Sequence, residues 1–375
     1  MTVDVDDRDA LRVALICPYS LSVDGGVQLQ VRGLARALRG IGVDARVLGP
    51  SDGPPPEAGI TSLGPTRGFP SNGSIAPITA GRAVVGRTLE ALRAFRPDVV
   101  HLHEPLSPGA HTAALIGTDL PAVGTFHASW PGRNGWYETF RLPLAKMVDR
   151  LAVRTAVSEE AQRNVEATFG GTCEILPNGI EVEVFAEADP WPAPRPAIFF
   201  VGRHERRKGL GVLLDAFATL DREAELWVAG VGPETDVLVR REIPSVTWLG
   251  RITEAEKARR FRGASIACFP STEGESFGVV LLEAMAAGSA IVASDLTGYS
   301  HVARADREAV LVGPGQASVL RDALRRVLDD AALQRALSEA GHRRAAEFSM
   351  TRLAEAFVDR YVSIARRRSG TPAPL

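Results

Sequence analysis

The sequence predicts an α/β protein built of two tandem, doubly wound parallel-sheet domains. Three observations carry this reading. Short apolar, β-branched runs alternate with helical patterns through nearly all of the 375 residues, and that alternation marks βαβ units around a parallel sheet. The chain is too long for one ordinary core and long enough for two. The alternation also breaks once, at AEADPWPAPRP (residues 186–196), and then resumes.

The elements follow in order. RVALIC (12–17) reads as a buried strand, followed by a loop and the helix VQLQVRGLARALRG. DARVLG (44–49), DVVHLH (98–103), PAVGTF (121–126), RTAVS (154–158) and CEIL (173–176) are further strands, most with a helical segment beside them. Prolines at 190, 192, 194 and 196 then stop any helix or central strand, so this stretch reads as a stiff linker. The first domain is accordingly expected over 1–189 and the second over 190–349. In the second, AIFFVG (197–202), AELWVAG (224–230), VTWLG (246–250), SIACF (265–269), AIVAS (290–294) and AVLVG (309–313) are strands with helices between them. Thr253 and Glu256 form a T-x-x-E capping box ahead of the helix EAEKARRFRG. Residues 316–368 read as helical, and 350–375 as a C-terminal helix that packs back on the first domain and ends in a frayed tail.

Composition excludes several classes. A net charge of −2 provides no global field for nucleic acid or an anionic membrane, so any anion must be held by local groups. Cys17, Cys173 and Cys268 lie far apart, in no C-x-x-C pair, which argues for a reducing cytoplasm over a disulfide framework or zinc ribbon. The N-terminus MTVDVDDRDALR is acidic and has no signal-peptide core. No apolar run is long enough to span a bilayer. Walker, nucleophile-elbow and HExxH motifs are absent as well.

Ligands of open α/β sheets bind beyond the carboxyl ends of the strands, and two such domains favour the cleft between them. Four motifs stand at strand ends. In SVDGGVQLQV, Gly25 and Gly26 follow the first strand, where they permit positive φ and close approach of a phosphate to backbone N–H groups; the alternative is a tight strand-to-helix turn. In VGRHERRKGL, Arg203, Arg206, Arg207 and Lys208 concentrate positive charge beside Gly209, better suited to a diphosphate than to a plain solvated loop. In GESFGVVLLEAMAAG, Glu275 lies in a loop after a strand, and Phe277, Gly278 and Val279 crown a helix whose N–H groups favour an anion. Glu283, within that apolar helix, is suited to accept two ribose hydroxyls; the alternative is a surface position. Fourth, VVHLHEP and TFHAS deliver His101, His103, Glu104 and His127, with His111 nearby. H-x-H on a strand puts both rings on one face, but no third metal ligand arrives with recognisable spacing. His127 is the better candidate for a bond to a polar substrate.

These pieces, in this order, resemble the family 4 retaining glycosyltransferases of the GT-B fold. The E-x7-E pair Glu275 and Glu283, Arg203 with Lys208 in GRHERRKG, and LPNGIE (176–181) carry the likeness, which covers nearly the whole chain. CPYSLSVDGGVQ, HLHEP, TFHAS and GESFGVVLLEAMAAG look most like the actinobacterial phosphatidylinositol mannosyltransferases, which use GDP-mannose. The resemblance implies two Rossmann-like domains around a cleft, and transfer of a hexose, mannose from GDP-mannose, to an acceptor hydroxyl with retention. It implies that Arg203 and Lys208 bind the donor diphosphate and Glu275 holds the sugar. Phe277, Gly278 and Val279 would supply backbone N–H groups, Glu283 the ribose contact, and Arg251 and Ile252 in LGRIT the backbone that meets the base. Gly25 and Gly26 would approach the diphosphate, with His127 beside the sugar and the attacking hydroxyl. Gln28, Asn72, His127 and Arg133 would serve the acceptor. The donor is a substrate; no cofactor or metal is required, because Arg203 and Lys208 neutralise the leaving group.

The acceptor side departs from those relatives. They carry an arginine shortly after an Asn-Gly-Ser segment, then a lysine-rich helix that docks on anionic lipid. Here Pro77 stands at the arginine's place after Asn72-Gly73-Ser74, and the helix GRAVVGRTLEALRAF holds only Arg82, Arg87 and Arg93. Polybasic docking needs several charges near the surface. Arg133 is a substitute, and Trp130 and Trp136 could stack on a sugar or simply pack. Other readings are the same chemistry with a donor such as UDP-glucose on a soluble acceptor, an epimerase or phosphorylase on the same fold, and a nucleotide-sugar-binding protein without transfer. The expected location is the cytoplasm, with peripheral contact at the membrane's inner face.

Overall fold

The structure, a computed structural model, describes residues 11–23, 25–71, 74–128, 135–275 and 277–368. The chain forms two compact units, one of Met1–Gly179 with Met350–Leu375 and one of Ile180–Ser349.

Unit 1 contains β1 (Arg12–Ile16), β2 (Asp44–Gly49), β3 (Ile60–Ser62), β4 (Arg67–Ser71), β5 (Ser74–Ile78), β6 (Val99–His103), β7 (Ala122–Phe126), β8 (Val153–Ala156) and β9 (Glu174–Ile175). Seven of them form one sheet in the order β3-β2-β1-β6-β7-β8-β9, with every pair parallel. The strand period of two explains the layers. Ala14 and Ile16 enter one core with Leu102 and Phe126, while Val13 and Leu15 enter another with Leu34 and Leu38 of the helix Gly26–Gly40. Each large side chain so buried contributes about 1.5–3 kcal/mol. The second core also holds Phe357 and Tyr361 of the helix Met350–Arg368.

The β4–β5 hairpin, antiparallel and separate from the main sheet, has no counterpart in the elements read from sequence. RGFPS and SIAPI each contain a proline, which breaks the apolar alternation and confines a strand to an edge.

Unit 2 has β10 (Ala197–Val201), β11 (Glu225–Ala229), β12 (Val246–Gly250), β13 (Ile266–Phe269), β14 (Ala290–Ser294) and β15 (Ala309–Val312), in the order β12-β11-β10-β13-β14-β15. It is parallel throughout. Phe199 and Trp227 face one core and Ile198, Phe200 and Leu226 the other. Thr253 caps the helix Glu254–Gly263 by accepting from the Glu256 N–H at 3.1 Å.

The crossing between units differs from the sequence expectation. It lies at Gly179/Ile180 and not at 189/190, so the proline-rich stretch belongs to unit 2. The reason is local packing: Trp191 donates its N–H to Arg259 at 2.9 Å, and the Arg260 guanidinium sits 3.8 Å from its ring centroid. Prolines stiffened the segment, but the tryptophan docked it.

Candidate functional site

In unit 2 the strand order reverses at β10, which has β11 on one side and β13 on the other. Such a reversal opens a crevice at the carboxyl ends of the two central strands. The loops that follow β10 and β13 there are tied together, because the Thr272 N–H donates to Arg207 at 2.7 Å. Gly209 makes the approach possible. Its φ is +70°, and a Cβ placed on it would lie 1.9 Å from the Pro270 carbonyl oxygen. Lys208 and Glu275, 67 residues apart, are thereby joined as an ion pair. The same Glu275 oxygen accepts from the Ser271 hydroxyl at 2.8 Å, and Gly298 packs against its backbone, with room for no side chain.

Arg203 and Arg207 both reach Glu205, at 2.9 and 3.0 Å. The basic loop therefore carries its own counter-ion, which holds two guanidinium groups side by side at the end of β10. Phe277 is buried, and Gly278, at φ +83°, caps the helix Val279–Ala286. The N-terminus of that helix and the cations after β10 meet at one strand junction, a concentration of positive potential suited to a diphosphate.

Glu283 is buried on this helix and bonds the Lys257 ammonium at 2.9 Å, while Lys257 also reaches Glu254 at 2.7 Å. Burial raises the carboxyl's pKa, opposed by the Lys257 charge. Burial alone would lower that of Lys257, but Glu283 and Glu254 hold it above the ordinary value. A buried pair of this kind does little better than break even for stability, so it argues for a binding role. Lys257 was not foreseen: it lies 26 positions before Glu283 in sequence, with no spacing rule to join them. Ile252 packs partly buried against the same core, and Arg251 is exposed in the loop after β12.

Unit 1 reverses at β1, between β2 and β6. Gly25 is the N-cap of the helix Gly26–Gly40 with φ −159°, so the left-handed freedom read from the Gly-Gly pair is not used there. What Gly26 offers is open space, since a Cβ would meet nothing within 4 Å. Gln28 is buried and donates to the Ser20 carbonyl at 3.3 Å.

The histidines form a stack in which His101 and His103 are buried and His127 is partly buried. His101 and His103 lie on one face of β6 with centroids 4.2 Å apart, and His103 stacks on His127 at 5.2 Å. His103 Nδ1 and His127 Nε2 share a hydrogen bond of 2.9 Å. His101 bonds the Tyr361 hydroxyl at 2.6 Å and Thr125 at 2.7 Å. Burial depresses His101 to about 3, and His127 to about 4 against the opposing Asn178 hydrogen bond. These rings are neutral near pH 7. Glu104, buried beside them, accepts from the backbone N–H groups of His127 and Ala128 at 2.8 and 2.7 Å. Asn72 and Arg133 lie outside the described residues.

Comparison with known proteins shows the family and the fold. Residues 24–184 match the model described as Glycosyltransferase Family 4, and residues 182–344 that described as Glycosyl transferases group 1. The chain is similar to the phosphatidyl-myo-inositol mannosyltransferase of Mycobacterium tuberculosis, at 36% identity over 95% of this chain and 97% of the relative. Among solved structures, sucrose-phosphate synthase from Thermosynechococcus elongatus superposes with a TM-score of 0.73 at 22% identity, covering 94% of this chain and 98% of that one. Anabaena HepE in complex with UDP and glucose does so with a TM-score of 0.73 at 16% identity, covering 94% and 100%. These two likenesses concern the fold.

Proposed function

The chain belongs to the family 4 glycosyltransferases of GT-B fold, alongside the mycobacterial phosphatidyl-myo-inositol mannosyltransferases, and from that premise we propose that it transfers mannose from GDP-mannose to a hydroxyl of a phosphatidylinositol-type lipid with retention of configuration. The observation that carries the proposal is the 36% identity sustained over 95% of the chain. The ion pair of Lys208 with Glu275 at the β10–β13 junction supports it from the geometry.

In this reading Arg203 and Lys208 take the donor diphosphate and stabilise its charge as the glycosidic bond breaks. Glu275 turns from Lys208 and Ser271 to hydroxyls of the sugar. The N–H groups at Phe277, Gly278 and Val279 face sugar or phosphate, Glu283 with Lys257 takes the ribose, and the backbone at Arg251 and Ile252 meets the base. Gly25 and Gly26 approach the diphosphate from unit 1. The leaving phosphate accepts the acceptor's proton on the face it departs from, so no protein nucleophile is needed, and the enzyme's work is positioning. His127, with Gln28, Asn72 and Arg133, serves the acceptor side.

Among the described residues no helix is long and apolar enough to cross a membrane, and the lipid would be met by peripheral contact. A second reading, a soluble acceptor, is favoured by one feature: Pro77 lies in β5, opposite Gly68, where lipid-acceptor relatives place an arginine.

Incubation with radiolabelled GDP-mannose and vesicles containing phosphatidylinositol tests both. Label in the organic phase supports the lipid acceptor. Transfer only to water-soluble products moves the acceptor to the second reading, and no transfer from GDP-mannose but turnover of UDP-glucose discards mannose.

A further inference from the structure

β6 and β7 pair in parallel as far as His103 and Thr125, and the Glu104 N–H adds one more bond, to Thr125 at 2.8 Å. The chain then leaves the sheet. Glu104 takes a left-handed φ of +54°, and its carbonyl accepts from the Ser107 N–H at 3.0 Å. His127 and Ala128 follow the end of β7, past the last pairing with β6. On the opposite side the ladder continues, with the Val157 N–H donating to Phe126 at 3.1 Å. The N–H groups of His127 and Ala128 would be left without a strand partner, and one oxygen of Glu104 accepts from both.

The carboxylate thus takes the place of the missing strand. Glu104 is 7% exposed, and desolvation raises its pKa against the pull of these two bonds. A buried carboxyl on a left-handed, non-glycine residue costs free energy on both counts. A glycine would make the same turn at lower cost, but would leave the two N–H groups unpaired. The ring of His127 is fixed at its other end by His103, so ring and backbone are anchored from two consecutive residues of one strand end.

We propose that Glu104 is a positioning residue, holding the His127–Ala128 backbone so that His127 stands in register with the reacting sugar and acceptor hydroxyl. The proposal rests on the placing of His127 in the function proposed above. Its prediction is that the acceptor oxygen, not the charge, is what matters.

Three variants of the full chain test it, each assayed for mannose transfer from GDP-mannose to phosphatidylinositol vesicles, with donor affinity by calorimetry and backbone amide spectra. Glu104→Met keeps the volume and removes the acceptor; kcat should fall by roughly a hundredfold, the loss expected for a displacement of about 1 Å, with donor affinity unchanged. Glu104→Ala reads the same loss without a long side chain. Glu104→Gln keeps the oxygen and should restore most of the rate. The amide resonances of His127 and Ala128 should move in Glu104→Met and stay close to wild type in Glu104→Gln. Wild-type kcat in a folded Glu104→Met, or a Glu104→Gln as impaired as Glu104→Met, overturns the proposal. His127→Ala separates its failure from that of the function: full transfer there would refute the placing of His127, whereas loss there with wild-type kcat in Glu104→Met refutes positioning alone.

Discussion

At the β10–β13 junction of unit 2 the polar side chains are charged and mostly part-exposed, and each is held by an opposite charge: Lys208 by Glu275, Arg203 by Glu205, Glu283 by Lys257. At the β6–β7 end of unit 1 they are largely neutral imidazoles, stacked and mostly buried, held by hydroxyls, by backbone and by one another. The contrast matches two tasks. A diphosphate is recognised by charge, and in the function proposed above unit 2 offers it ion pairs that a ligand can enter and rearrange. The attacking hydroxyl itself carries no charge, so in the function proposed above its alignment depends on geometry, fixed by the closely packed rings of unit 1.

The contrast can be broken in order of effect. Lys208→Ala should lower kcat, read in a steady-state assay at saturating donor, by roughly a hundred- to a thousandfold, the loss of one preorganised electrostatic contact in a water-poor site, while circular dichroism shows protein that remains folded. A near-normal rate would remove the charge argument from unit 2. Glu283→Ala should weaken donor binding about ten- to a hundredfold, as for a lost charge-assisted hydrogen bond of about 1.5–3 kcal/mol, and calorimetry reads this directly. Gly209→Ala must leave the left-handed region or push back the Pro270 carbonyl. The strain is about 1–3 kcal/mol, and the melting temperature of unit 2 should fall by several degrees. An unchanged transition would mean that the two loops are not tightly apposed.

The smallest effect is the one that sharpens the other side. His101, His111 and His127 are depressed by burial to about 3, 4 and 4. In the folded chain they stay neutral while the unfolded chain takes up protons below about 6.5. Their contribution to stability is therefore complete above that pH and is lost as pH falls from it toward their folded values; Glu104, raised by burial, partly offsets the trend. Thermal unfolding of unit 1 should move to lower temperature between pH 6.5 and 5. A flat profile there would show that these rings carry protons in the fold.

The same contrast decides what could be read from the sequence. Apart from β3, the strands of the two parallel sheets were legible because short, continuously apolar runs such as RVALI and AIFFV alternate with helical segments. So was the helix Glu254–Gly263, whose start Thr253 marks. The hairpin of β4 and β5 was not, since its prolines and glycine hide the period. On the donor side, Lys208 and Glu275 each stand in a motif at a strand end, and strand order alone brings them together. Lys257 carries no such mark, because its partnership with Glu283 exists only once two helices pack. Glu104 was visible beside two histidines, in a cluster whose spacing did not favour a metal site. Its bonds to His127 and Ala128 depend on where β6 leaves the sheet, which no spacing records. Of the acceptor candidates, Gln28 is turned inward to Ser20, and a property such as close approach at Gly26 comes from empty space and not from a residue's chemistry.

The claim that unit 2 is built around a nucleotide diphosphate is tested most directly by metal-free calorimetric titration of the wild type and of Glu283→Ala with GDP-mannose and UDP-glucose. The account predicts binding of GDP-mannose in preference to UDP-glucose, strongly weakened in Glu283→Ala. Equal affinity of the two proteins for GDP-mannose, or binding of neither nucleotide sugar by the wild type, would contradict it.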